Sequence, residues 1–114
     1  MQTMNEASAK TLRLLGLAAK AGKLTIGTDL FCAALARGGE HAPRLAVEAG
    51  DSSANTHKRV TDRCAYYGVR AVRLAATAAE LAHAVGKKEA AVAVVGVTDP
   101  HLAAAISAAF EETL

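Results

Sequence analysis

At 114 residues, with 52% hydrophobic side chains and a net charge of +2, the chain is long enough to bury a core without disulfide or metal staples, and one domain over residues 1–114 is expected. No apolar run approaches the roughly 20 residues of a membrane span. The start, Met1-Gln2-Thr3-Met4-Asn5-Glu6, lacks the basic-then-apolar order of a secretory signal, so a cytoplasmic protein is expected. Cys32 and Cys64 stand alone on apolar helical faces, which favours two buried thiols over a disulfide or a metal site. The charge is unevenly spread. Residues 1–73 carry 11 Lys and Arg against 6 Asp and Glu, a balance of +5, whereas residues 74–114 carry 2 against 5, a balance of −3. One basic and one acidic end can orient a polyanion, although ordinary surface charge explains the count as well.

In chain order, Asn5 or Ser8 can cap a first helix running to about Ala21, with Leu12, Leu15 and Ala19 on one stripe and Gly22 as its stop. Leu24–Ile26 reads as a short strand, and a second helix runs from about Asp29 to Arg37 before Gly38-Gly39. Pro43 introduces a strand over residues 44–49. Ser52 and Ser53 offer a cap for a third helix, in which His57, Val60, Cys64 and Tyr67 share one face while Lys58, Arg59, Asp62 and Arg63 share the other. Of Tyr66 and Tyr67, one is expected to face the core. Gly68 ends that helix, and residues 69–74 alternate like a strand with one face covered. Thr77 caps a short fourth helix closed by Gly86. Residues 90–97 are nearly all apolar, as in a central buried strand. Asp99-Pro100 supplies a cap and a first-position proline for a last helix with Leu102, Ile106 and Phe110 inside. The order α-β-α-β-α-β-α-β-α implies an α/β fold, a three-layer α/β/α sandwich with a mixed four-stranded sheet and right-handed crossovers.

The most informative segment is Ala21-Gly22-Lys23-Leu24-Thr25-Ile26-Gly27-Thr28. It turns at Gly27 into a helix start, whose outward N–H groups and partial positive charge suit an anionic or acceptor-rich partner, with Lys23 nearby. Every helix start shares this property, so the turn alone does not specify a ligand. Lys58 and Arg59 are candidate phosphate contacts on the third helix, and Ser53-Ala54-Asn55 at its start is a second anion position. Asp62 neutralising Arg59 and Arg63 on a solvated face is the plainer reading of the same residues.

Three stretches together resemble the ribosomal L-seven-Ae/L-thirty-e family, especially its small bacterial members. They are the run from Leu15 to Thr28, the pair 51–59 and 64–69 (Asp-Ser-Ser-Ala-Asn-Thr-His-Lys-Arg, then Cys-Ala-Tyr-Tyr-Gly-Val), and Glu80-Leu81-Ala82-His83-Ala84-Val85-Gly86-Lys87 leading into the apolar strand. The resemblance implies the family's α/β/α fold and binding of structured RNA, such as kink-turns or internal loops, with ribosomal or translation-associated RNA as the partner. It also implies that the start of the second helix enters the RNA groove through a motif reading Gly-x-Asn-Glu-x-x-Lys. In this chain those positions hold Gly27, Asp29, Leu30 and Ala33, so the acceptor carboxylate of the Glu position and the cation of the Lys position are both missing. A loop before the fourth helix, here including Ala75 and Ala76, would cover an unstacked nucleotide. The RNA-binding set is then Lys23, Gly27, Thr28, Asp29, Lys58, Arg59, Ala75 and Ala76, on a monomer with no cofactor. Leu30 and Ala33 keep a second reading open, a protein-interaction module on the same fold.

Catalysis finds little support. His41, His57, His83 and His101 lack metal-site spacing, and no Gly-Lys-Ser/Thr phosphate loop occurs. Ser53 and His57 lie one helical turn apart, but nothing in the sequence suggests an acid to orient the imidazole. With four aromatic residues there is no stacking platform for single strands, so structured RNA is favoured over unpaired RNA.

Overall fold

A computed structural model describes residues 5–87 and 91–111. The elements are α1 (Glu6–Lys20), β1 (Leu24–Ile26), α2 (Thr28–Arg37), β2 (Leu45–Glu48), α3 (Ala54–Tyr67), β3 (Arg70–Arg73), α4 (Ala78–Ala84), β4 (Val94–Val97) and α5 (Pro100–Glu111). Strand order is β1-β4-β2-β3, with β2 and β3 parallel and the two other pairings antiparallel. The mixed four-stranded sheet read from the sequence is therefore present.

Strand alternation divides the core in two. Leu45 and Val47 of β2, with Val95 and Val97 of β4, face one cluster that also contains Leu15 of α1, Leu81 of α4 and Ile106 of α5. Ala46 and Val94 face the opposite cluster, with Phe31 and Leu35 of α2 and Val60 and Cys64 of α3. Both free cysteines are buried there. Burial lifts the Cys64 thiol to about 11, helped by Cys32 and Glu48. Gly96 lets α2 close onto β4: a Cβ there would come within 2.7 Å of the Phe31 ring.

Two expectations change. The predicted strand over 90–97 is shorter: Ala90 lies outside the described residues, and the ladder begins at Val94. Before it, Val92 donates to Ala78 and Ala93 accepts from Ala49, so this stretch bonds to the first residue of α4 and to the residue after β2 instead of to a strand. Neither tyrosine is buried. Tyr66 is 81% and Tyr67 39% exposed, because Val69, beyond the Gly68 turn, supplies the apolar cover at that end of α3. The two rings stack edge-on against each other, 4.8 Å apart.

Candidate nucleic-acid interface

The register fixes which loops meet. Ile26 pairs with Val95, Val95 with Val47, and Val47 with Val72. The next row at that end of the sheet contains Gly27, Val94, Glu48 and Arg73, with Gly27 donating to the Val94 carbonyl at 3.0 Å. The starts of α2, α3 and α4 therefore gather at one end. Lys23 lies at the other. It is four residues and about 13 Å back along β1, where its carbonyl accepts from Thr98 and its ammonium pairs with Asp99 at 3.2 Å. The expectation that Lys23 joins the Gly27 turn is corrected: the antiparallel pairing of β1 with β4 sends it to the start of α5.

At four helix starts a side chain takes the third amide. Asn5 accepts from Ser8 in α1, Ser53 from Thr56 in α3, and Thr77 with Glu80 forms a reciprocal box on α4. Asp99 accepts from Leu102 in α5 at 2.9 Å. The start of α2 differs. Its cap is Gly27, with φ 104° and ψ 153° and no side-chain cap bond. That φ suits glycine, and no Cβ is available to carry an acceptor. Phe31 N–H is taken by the Gly27 carbonyl, but the amides of Thr28, Asp29 and Leu30 have no partner among the described residues. The anion position suggested at Ser53-Ala54-Asn55 is partly filled by that helix's own cap.

Arg59 joins this open start from α3. Its Nη1 lies 2.8 Å from Oδ1 of Asp29, whose side chain is 94% exposed. Lys58, not Arg59, is neutralised by Asp62, at 2.8 Å and one turn along the same helix, which corrects the predicted pairing. Arg59 and Lys58 are each held more firmly protonated by hydrogen bonds to these carboxylates. Leu30 is 54% exposed beside Asp29, and Ala33 is exposed one turn on.

The β3–α4 loop is pinned beside them. Ala75 N–H donates to Ser8 Oγ, Ala76 carbonyl accepts from Gly50, and Ala78 N–H donates to Asp51. Gly50 is required by this approach, since a Cβ there would sit 2.4 Å from the Leu74 carbonyl. Ala75 is exposed, whereas Ala76 is only 6% exposed. Of the two predicted loop contacts, only Ala75 presents its side chain outward, because alternation turns the next residue into the core.

A support was missed in the sequence. Glu48 is 2% exposed on β2 and faces α3. Its carboxylate accepts from Ser52 Oγ and from His57 Nδ1 at 2.9 Å, with Arg73 Nε at 4.0 Å. These contacts tie the β2–α3 turn to the first turns of α3. They also correct the statement that His57 lacks an orienting acid. Neither neighbouring serine hydroxyl serves the imidazole, however, since Ser52 bonds to Glu48 and Ser53 to Thr56. The signal was available: a carboxylate inside the otherwise apolar Leu45-Ala46-Val47-Glu48-Ala49 must find partners if buried. Among the described residues, no group of three or more His, Cys, Asp or Glu could hold a metal ion, and no helix is long and apolar enough to cross a membrane.

The model of the ribosomal protein L7Ae/L30e/S12e/Gadd45 family matches residues 9–106. The chain is 36% identical over 85 residues to the RNA-binding protein YlxQ of Enterococcus faecium, covering 74% of this chain and 79% of that one. It is 38% identical over 86 residues to the RNA-binding protein YlxQ of Bacillus subtilis (strain 168), covering 75% and 80%. Among solved structures, a protein of unknown function from Bacillus halodurans C superposes with a TM-score of 0.79 at 29% identity, covering 90% of this chain and 98% of that one. The Giardia lamblia 15.5kD RNA binding protein superposes with a TM-score of 0.77 at 17% identity, covering 95% and 88%, a likeness of fold.

Proposed function

The chain belongs to the ribosomal protein L7Ae/L30e/S12e/Gadd45 family, and from that premise we propose that it is a non-catalytic RNA-binding protein whose site is the end of the sheet where α2, α3 and α4 begin. The single observation that carries this reading is the uncapped start of α2. Three backbone donors without partners among the described residues, at the positive end of a helix, favour phosphate and base acceptors. Its relatives of 36% and 38% identity are named as RNA-binding proteins, which supports the same conclusion.

In this reading the amides of Thr28 and Asp29 meet the RNA, and Arg59 binds phosphate. Asp29 does not read a base with its paired oxygen; it positions Arg59 by the 2.8 Å ion pair. Lys58 contributes charge once Asp62 releases it, a small cost for an exposed pair. Leu30 and Ala75 offer apolar contact to sugars or to an unstacked base. Such a site, with few aromatic groups and fixed backbone donors, suits RNA that is already bent or internally looped. Ribosomal or other translation-associated RNA in the cytoplasm is the partner class, bound by a monomer.

The test is titration of the purified protein against a kink-turn RNA and a plain duplex of matched length at two salt concentrations. Tighter, salt-sensitive binding to the kinked RNA is expected. Equal weak binding to both would contradict this reading. It would move attention to Leu30 and Ala33 as a protein contact.

A further inference from the structure

A second surface runs along the seam between α1 and α4. Helix α1 packs against α4 so closely that a Cβ on Gly16 would come within 3.2 Å of the Ala84 carbonyl. Beside this contact runs a groove of about 680 Å³, floored by Gly16, Ala19, Ala84 and Val85, with Leu17 as its wall. It is continued along the same seam by a second hollow at Leu12 and Ala79. Leu17 is 63% exposed, more than any other aliphatic side chain of comparable size among the described residues.

The rim is cationic. Arg13 and Lys20 flank Leu17 on α1, and His83 stands opposite on α4. Lys10 extends the same stripe, at the spacing that aligns residues on one helix face. Neither Arg13, Lys20 nor Lys10 makes an ion pair or side-chain hydrogen bond among the described residues. One carboxylate, Glu80, borders the second hollow, where it accepts from the Thr77 amide in the α4 cap and pairs with none of these cations. By contrast, Lys23, Lys58, Arg59, Arg70 and Arg73 are all paired.

We propose that this α1–α4 groove docks an amphipathic helix of another protein, apolar on the face it buries and edged by carboxylates. The apolar floor with Leu17 standing out favours a protein side-chain anchor over nucleic acid, whose backbone would leave that floor unused. The unpaired rim cations give the charge sign: carboxylates flanking the anchor complement Arg13 and Lys20, and lysines would be repelled. From Leu12 to Lys20 the groove follows α1 for about 12 Å, a footprint of roughly two helical turns.

Two synthetic helical peptides of about 14 residues, sharing one leucine–alanine stripe but edged by glutamates or by lysines, test this with the full chain. The glutamate peptide is expected to bind at least about tenfold tighter than the lysine one and to shift the amide resonances of Leu17, Ala84 and Val85. Combined Arg13→Glu and Lys20→Glu is expected to reverse that preference. Leu17→Gln, at an exposed position and without a change of charge, is expected to weaken both peptides while leaving RNA affinity unchanged. Equal affinity for both peptides, no binding, or shifts elsewhere would overturn the proposal. So would displacement of the glutamate peptide from these residues by duplex RNA, which would make the groove an RNA surface.

Discussion

Helices α2 and α5 each follow a strand, and because β1 and β4 are antiparallel neighbours they start at opposite ends of the sheet. The start of α5 is closed: Asp99 caps Leu102, Pro100 removes a donor, and Lys23 pairs with the capping carboxylate. The start of α2 has none of these. Gly27 offers no side-chain acceptor, and the acid nearby, Asp29, turns its carboxylate toward Arg59. Two helix starts that each follow a strand thus differ in whether a side chain takes one of their first amides. A helix start is informative when it is left uncapped.

The comparison can be broken from several directions. The largest expected effect is on the support of the open end. His57→Ala leaves the buried Glu48 carboxylate with Ser52 and the more distant Arg73, and is expected to cost about 2 kcal/mol in urea unfolding. An unchanged midpoint would mean that water or Arg73 already solvates Glu48. Next, Arg59→Glu is expected to weaken binding of the kinked RNA on the order of tenfold and to reduce the salt slope by about 1. Lys23→Glu, more than a screening length from Gly27, is expected to change it by less than about twofold. Equal losses for the two variants would erase the distinction between the ends.

Smaller effects are expected at the closed end. Asp99→Ala removes a cap and is expected to lower the melting midpoint by a few degrees without altering RNA affinity. The Leu102 amide first, and Lys23 second, hold the Asp99 carboxyl below its usual range. Its contribution is therefore present above the unfolded value near 4 and is lost as pH falls through the lowered native one. The Asp99→Ala variant should show a shallower loss of stability below about pH 4 than the parent chain, read by thermal melts across that range.

Much of the fold was legible because its punctuation is local. Gly22, Gly38 and Gly68 end helices, Asn5, Ser53, Thr77 and Asp99 begin them, and alternation around Ala46 and Val94 splits the two core faces. The site was legible only at Gly27, where the turn itself carries the chemistry. Lys23 appeared adjacent because it is four residues away, but strand extension and antiparallel pairing carry it to Asp99. The Asp29–Arg59 pair spans 30 residues and depends on how α2 packs on α3. Ala76 turned inward because of a loop register that Ser8, Gly50 and Asp51 set from three other segments.

The central claim rests on backbone donors at the start of α2, and a proline can remove one of them. Thr28 is the first residue of that helix, where proline fits the helical φ and the displaced N–H has no internal partner. The ψ of Gly27, 153°, lies in the range a following proline allows, and its positive φ is open to glycine. The deciding measurement is the affinity of Thr28→Pro for the kinked RNA, with its melting midpoint as a control. A loss of about tenfold with an unchanged midpoint is the predicted result. Unchanged affinity in the folded variant would contradict the account.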